Sequence, residues 1–215
     1  MTNEVVELKE SYLELGKKLW EAIASKANFS KHQKLVVAIA GESGSGKSVT
    51  AFALQKEIEK AGFGTLVFSI DNYFKLPPKA NHNQRVENIK AVGPQEVDLD
   101  ILQNHLNAFK NNATSLIIPL TNYKLDCFDT IEISLANKEI LIVEGTYVFE
   151  LEGIDLLIFI ERTYKETFEQ RKARNRDVIT DFVEEILEIE HQIIKEGLHK
   201  AHILIDKNYQ ITHRS

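Results

Sequence analysis

The chain has a single cysteine, Cys127, in 215 residues, which excludes an internal disulfide and a thiolate-rich metal site and fits a reducing, intracellular home. Proline and glycine are scarce, at four and ten. Neither gathers into a linker, so one domain is expected over 1–215. No segment repeats at a fixed period, which excludes a solenoid. No apolar run approaches the ~20 residues of a membrane-spanning helix. Met1-Thr2-Asn3-Glu4 lacks the basic start and apolar block of a signal peptide, so no membrane partner and a cytoplasmic location are expected. Positive charge is also short. A formal net charge of -6 argues against a nucleic-acid partner, and the aromatics are not interleaved with basic residues as on a base-stacking platform. No Asn-Lys-x-Asp run is present to read guanine. What remains is an ordinary globular composition, 43% hydrophobic and 27% charged, with enough apolar content for a sizeable core.

The apolar pattern alternates between two periods. Over 5–27, Val5, Leu8, Tyr12, Leu15, Leu19, Trp20 and Ile23 recur at three- and four-residue steps, predicting an amphipathic helix that covers the core or offers an oligomer contact. Continuous apolar runs at 35–40, 65–70, 140–143 and 155–160 predict strands buried on both faces of a parallel sheet. Further strands are predicted at 115–119, stopped by Pro119, at 130–135 and at 203–205, and helices at 48–61, 97–109, 163–175 and 178–196. The polar stretch 72–94 predicts a long mobile segment. Strands alternating with helices give an α/β fold with ligands at the carboxyl ends of the strands.

At one such end stands Gly41-Glu42-Ser43-Gly44-Ser45-Gly46-Lys47-Ser48, a complete G-x-x-x-x-G-K-S phosphate loop between a predicted strand and a predicted helix. Its glycines let backbone N–H groups close around phosphate oxygens, and the helix N-terminus adds a favourable dipole. Lys47 can reach the β- and γ-phosphates, and the Ser48 hydroxyl can ligate Mg²⁺. Asp71 and Glu144 immediately follow buried strands. Carboxylates there can bind Mg²⁺ or accept the proton of an attacking hydroxyl. Arg171 and Arg174 fall on one helix face, with Arg176 just beyond, and three guanidiniums there can neutralise charge on a transferring phosphoryl group. His191, His199 and His202 lack the cysteine partners and tight spacing of a metal site.

These parts, in this order, resemble the uridine kinase and phosphoribulokinase group of P-loop kinases over nearly all of the chain after Leu35. The resemblance rests on 41–48, on Ser69-Ile70-Asp71-Asn72-Tyr73-Phe74, on Gly93-Pro94-Gln95-Glu96-Val97-Asp98, on Pro119, on Val143-Glu144-Gly145 and on Arg171, Arg174 and Arg176. It implies a P-loop NTPase-type sheet of five parallel strands flanked by helices, with an arginine-bearing lid over 163–177. It also implies ATP and Mg²⁺ as cofactors, Asp71 as catalytic base, a small-molecule hydroxyl acceptor, and assembly into an oligomer.

Two segments depart from uridine kinases. Where those enzymes carry a ribose-binding aspartate before His-Pro, this chain reads Ala91-Val92-Gly93-Pro94; after the later proline it reads Leu120-Thr121-Asn122-Tyr123-Lys124-Leu125-Asp126. The lid is also shorter. Tyr73, Tyr123 and Asp126 are the candidate acceptor-binding residues. The expected activity is transfer of the ATP γ-phosphate to a hydroxyl of a nucleoside or similar molecule. The rivals are a kinase of the same fold acting on a sugar- or pantothenate-like alcohol, and a nucleotide-binding regulatory protein without turnover.

Overall fold

The structure, a computed structural model, describes residues 8–26, 34–174 and 180–214. The chain opens with helix α1 (Glu10–Lys26), then strand β1 (Leu35–Gly41), helix α2 (Lys47–Lys60) and strand β2 (Thr65–Ser69). Helices α3 (Pro78–Glu87) and α4 (Leu99–Lys110) precede strands β3 (Ser115–Asn122), β4 (Cys127–Ser134), β5 (Ile140–Glu144) and β6 (Leu156–Ile160). Helices α5 (Phe168–Arg174) and α6 (Asp181–Ile194) and strands β7 (Ile203–Ile205) and β8 (Ile211–His213) complete it.

The main sheet has the order β2-β5-β1-β6-β7-β8, with five parallel strands and an antiparallel β8 at the edge. The five parallel strands are those expected; β8, only three residues long, has no apolar run to announce it. β1 lies centrally, with Ala38 in register with Val143 and with Leu157. Period-two alternation divides its side chains between two cores. Val36, Ala38 and Ala40 face a core with Phe68, Leu102, Leu106, Phe109 and Tyr147, whereas Val37 and Ile39 face one with Leu15, Leu19, Ile23, Leu54 and Ile58. The α1 stripe is therefore core. Leu19→Ala should cost about 2–5 kcal/mol through lost burial and the cavity left behind, read as a lower urea midpoint at unchanged slope.

Two expectations about local structure are corrected. The 72–94 segment is not irregular: it holds a 3₁₀ turn (Ile70–Tyr73), α3 and a further 3₁₀ turn (Ile89–Ala91), followed by one at Pro94–Glu96. α3 starts on Pro78, whose fixed φ and missing N–H suit a first helical turn. Its low hydrophobicity hid it, because only one of its residues, Asn81, is buried. Pro119 does not stop β3 either. Among the described residues β3 pairs only with β4, in a separate antiparallel ribbon. The Thr121 N–H, two residues on and on the same side of the strand, points away from β4 to Asn72 Oδ1 (2.9 Å). Pro119 thus loses its donor on the edge that has no partner strand.

Candidate active site

The carboxyl ends of β1, β2 and β5 meet at one pocket. It is lined by Ser43, Gly44, Lys47 and Ser48 from the glycine loop, by Asp71 and by Glu144, at the strand ends where a parallel sheet binds ligands. Gly44 (φ 75°) and Gly46 (φ 101°) occupy left-handed backbone that a side chain disfavours. A Cβ on Gly46 would lie 2.8 Å from the Tyr12 hydroxyl, and one on Gly44 2.8 Å from Arg171 Cγ. The loop is therefore a close-fitted cradle, and α2 starts directly behind it with Gly46 as its N-cap. Phosphate fits this set: the N–H groups of the helix terminus, the dipole, and Lys47, whose Nζ is held over the loop by the Glu42 carbonyl (2.9 Å).

Glu42, in the same loop, turns its carboxylate away from the phosphate side. It accepts from Tyr164 N–H (2.6 Å) and faces His191 Nδ1 (2.7 Å), tying the loop to the segment before α5 and to α6. Ser48 donates to Glu144 Oε1 (3.2 Å), so a hydroxyl and a carboxylate stand together as the hard oxygen donors Mg²⁺ takes. Burial pushes the Glu144 carboxyl up, and the nearby Asp71 adds to this, with Lys47 opposing. A buried carboxylate whose pKa is raised on folding costs stability as pH rises through that range. Glu144→Gln should therefore raise the melting temperature of the metal-free protein at neutral pH by roughly 2–5 °C while lowering Mg²⁺-dependent turnover; differential scanning calorimetry paired with a rate assay reads both.

Asp71 sits on the 3₁₀ turn that ends β2 and is exposed to the pocket. The ribbon fixes this turn: Thr121 Oγ1 donates to the Asp71 carbonyl (2.9 Å), and Thr121 N–H to Asn72 (2.9 Å). Of the candidate acceptor residues, Tyr123 lines the pocket. Tyr73 does not. Its ring is buried in the core, 2% exposed, with its hydroxyl on His105 Nδ1 (3.0 Å), because the turn that presents Asp71 points Tyr73 inward. Asp126 is also corrected: its carboxylate accepts from Lys79 N–H (2.9 Å) and so caps the first turn of α3.

Arg171 packs beside Gly44, and its guanidinium is held by Glu184 (2.9 Å) and the Tyr164 carbonyl (3.3 Å). Arg176 lies outside the described residues, as does the side chain of Arg174.

The pocket also takes residues that sequence reasoning missed. Phe74, Leu76, Asn81, Arg85, Phe128 and Glu190 line it. Arg85 reaches Glu96 through Nε (2.6 Å) and Nη2 (2.8 Å), and Glu190 through Nη2 (3.1 Å). Burial pulls the Arg85 pKa down, but the two carboxylates outweigh it and hold the guanidinium charged. A sequence signal for Glu190 existed: it lies four residues from both Ile186 and Ile194, inside the buried stripe of α6.

A parallel sheet with a glycine-loop cradle, a Ser–Glu oxygen pair and a strand-end aspartate in one pocket defines a P-loop phosphotransferase. The model of the phosphoribulokinase / uridine kinase family matches residues 36–206, and the chain belongs to that family of small-molecule kinases. It is 27% identical over 205 residues to a bifunctional alpha-galactosidase/sucrose kinase of Mediterraneibacter gnavus, covering 89% of this chain but 22% of that protein. A uridine kinase of Oceanobacillus iheyensis is also 27% identical, over 194 residues covering 84% of this chain and 90% of its own. In fold, the chain is similar to the structure of a possible uridine kinase from Bacillus stearothermophilus (TM-score 0.64, 18% identity, 89% of this chain and 97% of that one). No described helix is long and apolar enough to cross a membrane.

Proposed function

We propose that the protein transfers the γ-phosphoryl group of ATP to a hydroxyl of a nucleoside or similar small molecule. The observation that carries this is the shared pocket: the phosphate loop, Asp71 and Glu144 open onto the same space as Asn81, Tyr123 and Phe128, so donor and acceptor have adjoining places. In the reaction, the acceptor oxygen bonds to the γ-phosphorus, the bond from that phosphorus to the β–γ bridging oxygen breaks, and ADP leaves. Asp71 takes the hydroxyl proton. Lys47 and the loop N–H groups hold the phosphates. Ser48 and Glu144 would hold Mg²⁺, which neutralises charge on the β- and γ-oxygens when bound. Arg171, with Arg174 and Arg176, is assigned to a lid that keeps water from the phosphates.

A sugar-type acceptor is the second reading. Val92, at the place of the ribose-binding aspartate in the resemblance, is an apolar side chain only 4% exposed, and one relative carries a sucrose kinase in its name. ATP consumption measured against nucleosides, free sugars and pantothenate-type alcohols tests both readings. Stimulation by at least one acceptor is expected; nucleotide binding with no acceptor-dependent turnover would put the regulatory alternative in its place.

A further inference from the structure

We propose that Asn81, Arg85 and Glu190 form a recognition side of the acceptor pocket that selects a neutral, hydroxyl-rich acceptor against one bearing a phosphate or carboxylate. This rests on the phosphotransfer reading and adds the acceptor's charge class to it.

Asn81 and Arg85 stand one turn apart on α3, and Glu190 of α6 meets Arg85 directly. An arginine in a substrate pocket ordinarily suggests an anionic substrate. Here both carboxylates reach it first, Glu96 through two bonds and Glu190 through a third. This side of the pocket thus carries one cation against two carboxylates. Asp71 and Glu144 add negative charge elsewhere in the lining, and Lys47 belongs to the phosphate loop. An anionic acceptor would surrender its hydration shell and meet no unmatched cation on this side.

Hydroxyls are matched instead. Asn81 is 8% exposed, and its Nδ2 donates to Glu96 Oε1 (3.0 Å), which fixes the amide's orientation. Among the described residues its Oδ1 is buried without a hydrogen-bond partner. That oxygen accepts only, so a hydroxyl donor completes it. Glu190 offers a carboxylate acceptor in the same pocket. Phe74, Tyr123 and Phe128 supply the apolar wall against which the C–H face of a ring can lie.

α6 is anchored so that Glu190 is set before any acceptor arrives. Glu184 holds Arg171, Glu188 accepts from the Tyr164 hydroxyl (2.6 Å), and His191 meets Glu42 of the phosphate loop (2.7 Å). Such an arrangement discriminates strongly, because a wrong acceptor leaves buried polar groups unpaired.

The test pairs neutral acceptors with charged counterparts on the full chain: fructose with fructose 6-phosphate, glycerol with glycerate, and uridine and sucrose alone. Wild type should favour the neutral member by at least about 100-fold in kcat/KM. Asn81→Leu, which leaves the Arg85 ion pairs in place, and Glu190→Gln should each raise the neutral acceptor's KM by about tenfold or more, far beyond any fall in kcat, with the KM for ATP little changed. Equal or better use of the charged member overturns the proposal, and so does an unchanged acceptor KM in both variants. If no acceptor is turned over, the phosphotransfer reading fails by itself. Calorimetry with a non-hydrolysable ATP analogue then decides the inference: neutral-acceptor binding that Asn81→Leu abolishes upholds it, and no acceptor binding by wild type overturns it.

Discussion

Asp71→Asn should lower kcat by about 10²- to 10⁴-fold while leaving the KM for ATP within about twofold. Asparagine keeps the size and one acceptor oxygen of aspartate but cannot take a proton at neutral pH. The backbone around the residue should hold, since Thr121 binds the Asp71 carbonyl and the Asn72 side chain, neither of which the substitution alters. Nor is the side chain needed for packing, because it is exposed to the pocket. A compensating gain is expected in the metal-free protein: without the Asp71 charge nearby, the buried Glu144 ionises more easily. Steady-state kinetics at saturating acceptor, with ATP binding measured separately, check the result. A kcat within threefold of wild type would show that the hydroxyl proton leaves by another route.

Arg85→Ala should be the most damaging change to stability, at about 3–5 kcal/mol. Arg85 is the only cation bonded to Glu96, whose side chain is 1% exposed, among the described residues. Glu190 depends on it too, with a side chain 10% exposed. Removing the guanidinium strands both carboxylates, and burial already pushes the Glu190 carboxyl up. For a chain of this size the melting temperature should fall on the order of 10 °C. The cost arises from the unmatched charges and not from the pair as such. Replacing Arg85, Glu96 and Glu190 together with apolar residues of similar volume should therefore recover much of the stability, yet abolish acceptor binding. Calorimetric unfolding of the single and triple variants separates these effects; a single variant as stable as wild type would mean that water reaches the carboxylates freely.

The legibility of the chain follows the range of the forces involved. The strands around β1 were readable because a strand covered on both faces must be apolar along its whole length. The phosphate loop was readable because its chemistry is local. Eight consecutive residues carry the glycines, the lysine and the serine that backbone-mediated phosphate binding needs. α3 was hidden because it lies on polar contacts, and Tyr73 was misplaced because residues two apart on a 3₁₀ turn face different sides. Glu190 was hidden by its company, since Glu184, Glu185 and Glu188 stand on the same helix.

By itself, then, the sequence determined the loop from Gly41 to Ser48 and the strand-end positions of Asp71 and Glu144, since each depends on neighbours a few residues away, whereas the pairing of β2 with β5 that sets the two acids side by side joins distant segments. Only the tertiary structure decided what faces them. Arg85 and Glu190 are 105 residues apart, and no periodicity or motif links them. Their meeting depends on α3 and α6 packing at the same pocket, and with it the charge of that pocket changes from an arginine's to that of an arginine already matched by two carboxylates.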